Sequence, residues 1–276
     1  MTAQDTPLLD QKLVTNALLA QWDVTDSIVS GLDAHGWRTP TPLPGWTVQD
    51  VVSHIIGTES MLLGIDPPKA ELDAPVAHVR NEIGGFNELW VEGLRDRSGE
   101  QMLAQFRDVT GQRRRILTEL TAEQWAAPSW SPIGQTSYGR FMRIRLFDCW
   151  MHELDIRDGL RRSGEEGDQR AELAFPEIEA SIGFIVGKLG KAPDGARVTL
   201  ELTGPLAQTI HVAVDGRAKR VRELDGPATT TLTLDSRLFV RLVGGRTTFD
   251  EHRDEIGLDG DAELAEQLAR RLAFTI

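Results

Sequence analysis

The spacing of apolar residues is helical through the first half of this chain, and in the second half segments with a period of two appear among the helical ones. Leu9, Leu13, Ala17, Val24 and Ile28 fall in helical rows, which predicts a helix from about Leu8 to Leu32. A Pro-rich turn, Thr39-Pro40-Thr41-Pro42-Leu43-Pro44-Gly45, follows it. Thr47 is then a good N-cap, with Asp50 three residues on to favour the start of a helix. That helix carries Val48, Val51, Val52, Ile55 and Ile56 and ends near Gly64 and Pro67-Pro68. Two more helical stretches are expected over about Ala74 to Leu94 and Gly99 to Leu120, then a long polar loop from Pro128 to Gly139. A last helix of this half reaches about Arg162, and the set reads as an up-and-down bundle of four or five helices.

At Ser163-Gly164-Glu165-Glu166-Gly167-Asp168 the composition becomes that of a polar linker. After a helix near Ala171 to Leu189, the segments Val198-Thr199-Leu200-Glu201-Leu202, Ile210-His211-Val212-Ala213-Val214 and Thr229-Thr230-Thr231-Leu232-Thr233-Leu234 alternate as strands. Helices around Ser236 to Val243 and Ala262 to Leu272 complete an α+β pattern. With 276 residues, two domains are expected, a helical bundle over 1–163 and an α+β domain over 170–276.

Charge and cysteine usage restrict what such a protein does. A net charge of −12 argues against nonspecific nucleic-acid binding and against docking on anionic membranes. It also gives no steering toward an anionic oxo-acid. The single cysteine, Cys149, rules out an intramolecular disulfide and any multi-cysteine metal site, which fits a reducing cytoplasm. Met1-Thr2-Ala3-Gln4-Asp5 has neither the basic nor the apolar region of a signal peptide, and no run has the length to cross a bilayer. Arginine outnumbers lysine, which together with abundant Ala, Gly, Leu and Asp hints at a high-GC bacterial genome.

The chemistry-bearing pattern lies in Arg145-Leu146-Phe147-Asp148-Cys149-Trp150-Met151-His152-Glu153-Leu154-Asp155-Ile156-Arg157. At about 100° per residue, Asp148, His152 and Asp155 lie at about 0°, 40° and −20° on one helix face. A carboxylate and an imidazole one turn apart form half of a metal site. His54, from the helix after Thr47, would add a third ligand. Two imidazoles, one carboxylate and an open position suit catalytic zinc or non-haem iron. The plain alternatives are a satisfied core histidine and a simple Asp–His hydrogen bond. Asp155 could orient an imidazole, hold a substrate group, or pair with Arg157 or Arg143. Glu59 and Glu153 point about 140° away from His54 and Asp148, and Cys149 leans toward core packing. Trp46 and Trp150 read as core or as a platform beside the site, and Arg246 as a solvated turn arginine or an anion reader. His35, His78, His211 and His252 sit in no ligand spacing.

Pro44-Gly45-Trp46-Thr47-Val48…His54 and Trp150-Met151-His152-Glu153-Leu154-Asp155-Ile156-Arg157 resemble the paired motifs of the mycothiol-dependent maleylpyruvate isomerase family. The resemblance is close in the bundle motifs and loose after about residue 165. It implies a DinB-like metal-binding bundle of four or five helices followed by a smaller α+β, sterol-carrier-like domain. It places the family's three metal ligands on His54, Asp148 and His152, an active-site role on Asp155, and a second-domain arginine for which Arg246 is the candidate. The isomerase uses a glutamate where this chain has Asp148, shorter by one methylene, a departure that bears on both activity and metal identity.

The resemblance further implies a divalent metal, Zn²⁺ or else Fe²⁺ or Ni²⁺, with mycothiol, the small thiol of actinobacteria, as cofactor or cosubstrate. An isomerase would add that thiol to a cis double bond and eliminate it after rotation, whereas an S-transferase would leave it in the product. The partners expected are a small thiol and a small electrophile, with the protein a monomer or homodimer. Two further readings share the ligands: a non-haem Fe²⁺ oxygen-dependent enzyme, and a non-enzymatic metal-sensing or ligand-binding protein.

Overall fold

A computed structural model describes residues 10–69, 79 and 81–275. The chain divides into two compact units, Met1–Gly164 and Glu165–Ile276. Among the described residues, no helix is long and apolar enough to cross a membrane.

The first unit is helical. Its elements are α1 (Gln11–Val29), α2 (Ala34–Trp37), α3 (Val48–Leu62), α4 (Glu82–Leu94), α5 (Gly99–Glu119), α6 (Ala122–Ala126) and α7 (Tyr138–Leu160). Asp10 caps α1, so Leu8 lies beyond the described part of that helix. The expected helix from Ala74 is described only as α4, because 70–78 and 80, His78 among them, fall outside the described residues. The predicted start of α3 is observed: Thr47 and Asp50 form a reciprocal capping box. The expected loop from Pro128 to Gly139 is instead a hairpin, β1 (Pro128–Ser131) with β2 (Gly134–Ser137), running directly into α7. The strands are four residues long, and Trp130 of β1 and Ile133 of the turn face solvent, so no apolar alternation marks the hairpin and periodicity misses it.

Helix α3 packs against α4, α5 and α7, and α1 packs against α5 and α7. Val48, Val51, Val52, Ile55 and Ile56 of α3 are fully buried, and Trp22, Trp90, Phe106, Met142 and Leu146 are buried with them in the first unit. The α3–α4 approach needs Gly57, where a Cβ would stand 2.4 Å from the Trp90 ring. Helix α7 ends when Arg161 takes up a left-handed conformation (φ 55°).

The second unit is α+β, with a five-stranded sheet in the order β5-β4-β3-β6-β7. Its strands are β3 (Arg197–Thr203), β4 (Gln208–Asp215), β5 (Arg217–Val221), β6 (Thr230–Asp235) and β7 (Gly257–Gly260). Only β3 and β6 pair in parallel. The three strands expected from alternation are present, whereas β5, rich in Arg and Lys, and the glycine-bounded β7 carry no such signal. The helix expected over Ala171 to Leu189 is broken at Pro176 into α8 (Gln169–Ala174) and α9 (Pro176–Phe184), followed by a π-helical turn, Ile185–Leu189. Helices α10 (Ser236–Val243) and α11 (Ala262–Ala269) lie where the sequence puts them.

Candidate metal centre

The capping box fixes the start of α3, and two turns later that helix delivers His54 into the bundle interior. From α7, Asp148 and His152 arrive one turn apart on the facing side. Ligand atoms of His54, Asp148 and His152 all lie within 4.8 Å of one another. His54 Nε2 is 3.1 Å from Asp148 Oδ2 and 3.4 Å from Oδ1, and His152 Nε2 is 3.7 Å from Oδ1. The two imidazoles meet edge to face with their centroids 4.7 Å apart. Both are buried, while the Asp148 side chain keeps 29% of its surface exposed, so the cluster opens on the carboxylate side.

Asp155, buried one turn along α7, lies 2.9 Å from His152 Nδ1 through its Oδ2. A carboxylate only accepts, so Nδ1–H donates to it and the Nε2 lone pair faces Asp148 and His54. Arg157 pairs instead with Glu153 (2.6 Å), which also accepts from Gln21 Nε2 (2.8 Å). Glu153 thus faces away from the cluster, as helix geometry requires. Trp46 forms a wall over both imidazoles, with centroids 5.6 Å from His54 and 6.1 Å from His152, and its indole N–H donates to the buried Glu88 at 2.8 Å. Trp150 is a core residue.

Beneath Asp148 lies a buried ion network built from residues that the spacing argument does not select. Arg145 Nη1 is 2.5 Å from Asp148 Oδ2, while its Nε and Nη2 are both 2.9 Å from Glu59 Oε1. Glu59 Oε2 accepts from Arg113 Nε at 2.9 Å, so one carboxylate ties α3 to α5 and α7. Glu59 does point away from His54, but into the interior, and both Glu59 and Arg113 are completely buried. The only advance signal was a charged residue flanked by interior positions on α3. Its partners come from separate helices and are invisible to local spacing.

The electrostatics follow from these contacts. Burial would raise the Asp148 carboxyl, but Arg145, His54 and His152 outweigh it and hold the group well below the usual carboxylate range. Burial lowers His54 despite the opposing pull of Asp148, which keeps its imidazole neutral. Burial pushes the Cys149 thiol up to about 12, against the attraction of Arg145 Nη2 at 3.4 Å.

Arg246 belongs to the second unit, in the turn after α10. Its Nη1 donates to the carbonyl of Gly244 and to the Thr275 hydroxyl. Among the other histidines, His211 Nδ1 is 3.1 Å from Thr199 Oγ1 across β3 and β4. His252 lies between Glu255 and Thr247, and His35 is exposed on α2.

A helical bundle with two imidazoles and one carboxylate converging inside it, followed in the chain by a separate α+β unit, defines the class. The model of the mycothiol maleylpyruvate isomerase N-terminal domain matches residues 18–157, and that of the MDMPI C-terminal domain matches 172–267. The chain belongs to the mycothiol-dependent maleylpyruvate isomerase family.

Two relatives from Mycobacterium tuberculosis strains, each named as an uncharacterized protein, are 26% identical over 211 residues, covering 74% of this chain and 78% of theirs. The crystal structure of the mycothiol-dependent maleylpyruvate isomerase is similar with a TM-score of 0.60 at 15% identity, over 91% of this chain and 93% of that one. A histidine-to-alanine mutant of that isomerase gives 0.56 at 14% identity with the same coverage. At these identities the likeness speaks for the fold.

Proposed function

We propose that this protein is a metal-dependent enzyme that takes mycothiol as thiol cofactor or cosubstrate and acts on a small electrophile, as a cis-trans isomerase of the maleylpyruvate type or as an S-transferase. Family membership and the similarity to the maleylpyruvate isomerase support the enzyme class and the thiol. The single observation that carries the metal reading is the convergence of His54, Asp148 and His152 within 4.8 Å.

The donor set fits a divalent cation. His152 offers Nε2 because Asp155 engages Nδ1, His54 offers a neutral imidazole, and Asp148 is ionised. Two nitrogens and one oxygen with room for a further ligand suit zinc, and equally accept Fe²⁺ or Ni²⁺. When bound, such an ion lowers the pKa of a thiol presented to it and supplies thiolate at neutral pH.

The chain's own residues provide the rest. Cys149 is buried and its thiol stays protonated, so the reacting sulfur comes from outside. Trp46 walls the imidazoles on one side, and the exposed edge of Asp148 marks the approach for thiol and acceptor. Asp155 holds His152 in one tautomer, and in the second unit Arg246 is, by the family resemblance, the candidate for reading an anionic group. Isomerase and transferase differ in whether the thiol is returned or retained.

The test is an assay of the zinc-loaded full chain with mycothiol and maleylpyruvate, and with a panel of small electrophiles. Thiol-dependent turnover that fails without mycothiol supports the reading. Saturable metal binding with no thiol-dependent reaction on any acceptor contradicts it.

A further inference from the structure

Asp148 stands between two kinds of neighbour. Its Oδ2 takes Arg145 Nη1 at 2.5 Å and also lies 3.1 Å from His54 Nε2, while its Oδ1 is near both imidazoles, 3.4 Å from His54 Nε2 and 3.7 Å from His152 Nε2. Arg145 is itself clamped: Nε and Nη2 grip Glu59 Oε1, and the other Glu59 oxygen is held by Arg113. All three side chains of this clamp are buried, and a guanidinium engaged on both edges has no freedom to leave Oδ2.

Resting on the reading that His54, Asp148 and His152 hold a divalent metal, we propose that Arg145, anchored by Glu59, is the positioning residue of the site. With Arg145 on Oδ2, the oxygen offered to a metal would be Oδ1, which lies within 3.7 Å of both imidazole nitrogens, and binding through both oxygens would be disfavoured. Neither Arg145 nor Glu59 is a ligand; Arg145 acts through its hold on Asp148 and its charge, and Glu59 acts through Arg145. The two halves of the clamp therefore act on the metal with opposite sign. Removing the guanidinium charge frees a second carboxylate oxygen and takes away a cation beside the ion. Removing the Glu59 charge leaves that cation less compensated.

The experiment titrates Co²⁺ into the chelator-treated full chain and into the Arg145→Gln and Glu59→Gln variants, reading affinity and the intensity of the visible d–d bands. Arg145→Gln is expected to bind Co²⁺ about tenfold more tightly because a like charge beside the ion is gone, with weaker bands because Asp148 can then bind through both oxygens and the coordination number rises. Glu59→Gln is expected to bind about tenfold more weakly.

A merely architectural clamp would weaken binding in both variants, and that result overturns the proposal. So does an Arg145→Gln variant with the affinity and band intensity of the wild type. If the wild type takes up neither Co²⁺ nor Zn²⁺, the metal reading itself fails. Should circular dichroism show that Glu59→Gln does not fold, the sign of the Arg145→Gln shift decides alone, since Glu59 keeps Arg113 there.

Discussion

His152 Nδ1 and Asp155 Oδ2 lie 2.9 Å apart on consecutive turns of α7, and this contact determines which nitrogen of His152 faces Asp148 and His54. Replacing Asp155 with Asn keeps the shape but removes the charge that favours Nδ1–H. Metal affinity should fall by about 10–100-fold, with unchanged thermal stability of the metal-free chain to within about a kcal/mol. Competition against a chromophoric chelator reads the first, and differential scanning fluorimetry the second.

Cys149 is fully buried, and its thiol sits at about 12. Thiolate is the reactive form, so the native chain should not react with Ellman's reagent at pH 8, and one thiol should appear on adding denaturant. Cys149→Ser should leave metal stoichiometry intact. Rapid native labelling would show an open path to α7 that the packing does not contain.

Glu59 is the shared acceptor of two buried guanidinium groups, so truncation exposes both to an uncompensated interior. Glu59→Ala should destabilise the first unit by about 3–5 kcal/mol. All seven tryptophans (Trp22, Trp37, Trp46, Trp90, Trp125, Trp130 and Trp150) belong to that unit, so urea unfolding followed by tryptophan fluorescence reads it selectively.

His54 titrates lower in the folded chain than its ordinary value because burial disfavours the imidazolium. On acidification the unfolded state takes up this proton first, so metal-free stability should fall as the pH drops below about 6.5. His54→Asn should flatten that slope between pH 7.5 and 5.5 in chelator-containing buffer. A slope unchanged by the substitution would assign the loss to other groups.

How much of this the sequence discloses depends on how local the cause is. The Asp148–His152–Asp155 face follows from helix geometry alone, and the α3 start from Thr47 and Asp50, because both are set within a few residues. The pairing of those residues with His54 is open on residue type alone and gains support from the motif resemblance, since nothing local brings α3 to α7. Arg145, Glu59 and Arg113 were not legible as a network: a lone charge on an amphipathic helix ordinarily faces solvent, and their mutual burial appears only when three helices are assembled. The β1–β2 hairpin reads as a loop in the sequence for a similar reason, its pairing resting on backbone hydrogen bonds and not on an apolar face.

The most direct test of the account is the metal content of the tag-free full chain purified without chelator, beside His152→Ala prepared identically. About one divalent ion per chain, zinc before iron or nickel, is expected, and sharply less in the variant. A chain that carries no divalent ion, and takes none up when zinc, iron or nickel is added back, would contradict it and leave His54, Asp148 and His152 as a hydrogen-bonded cluster of the bundle core.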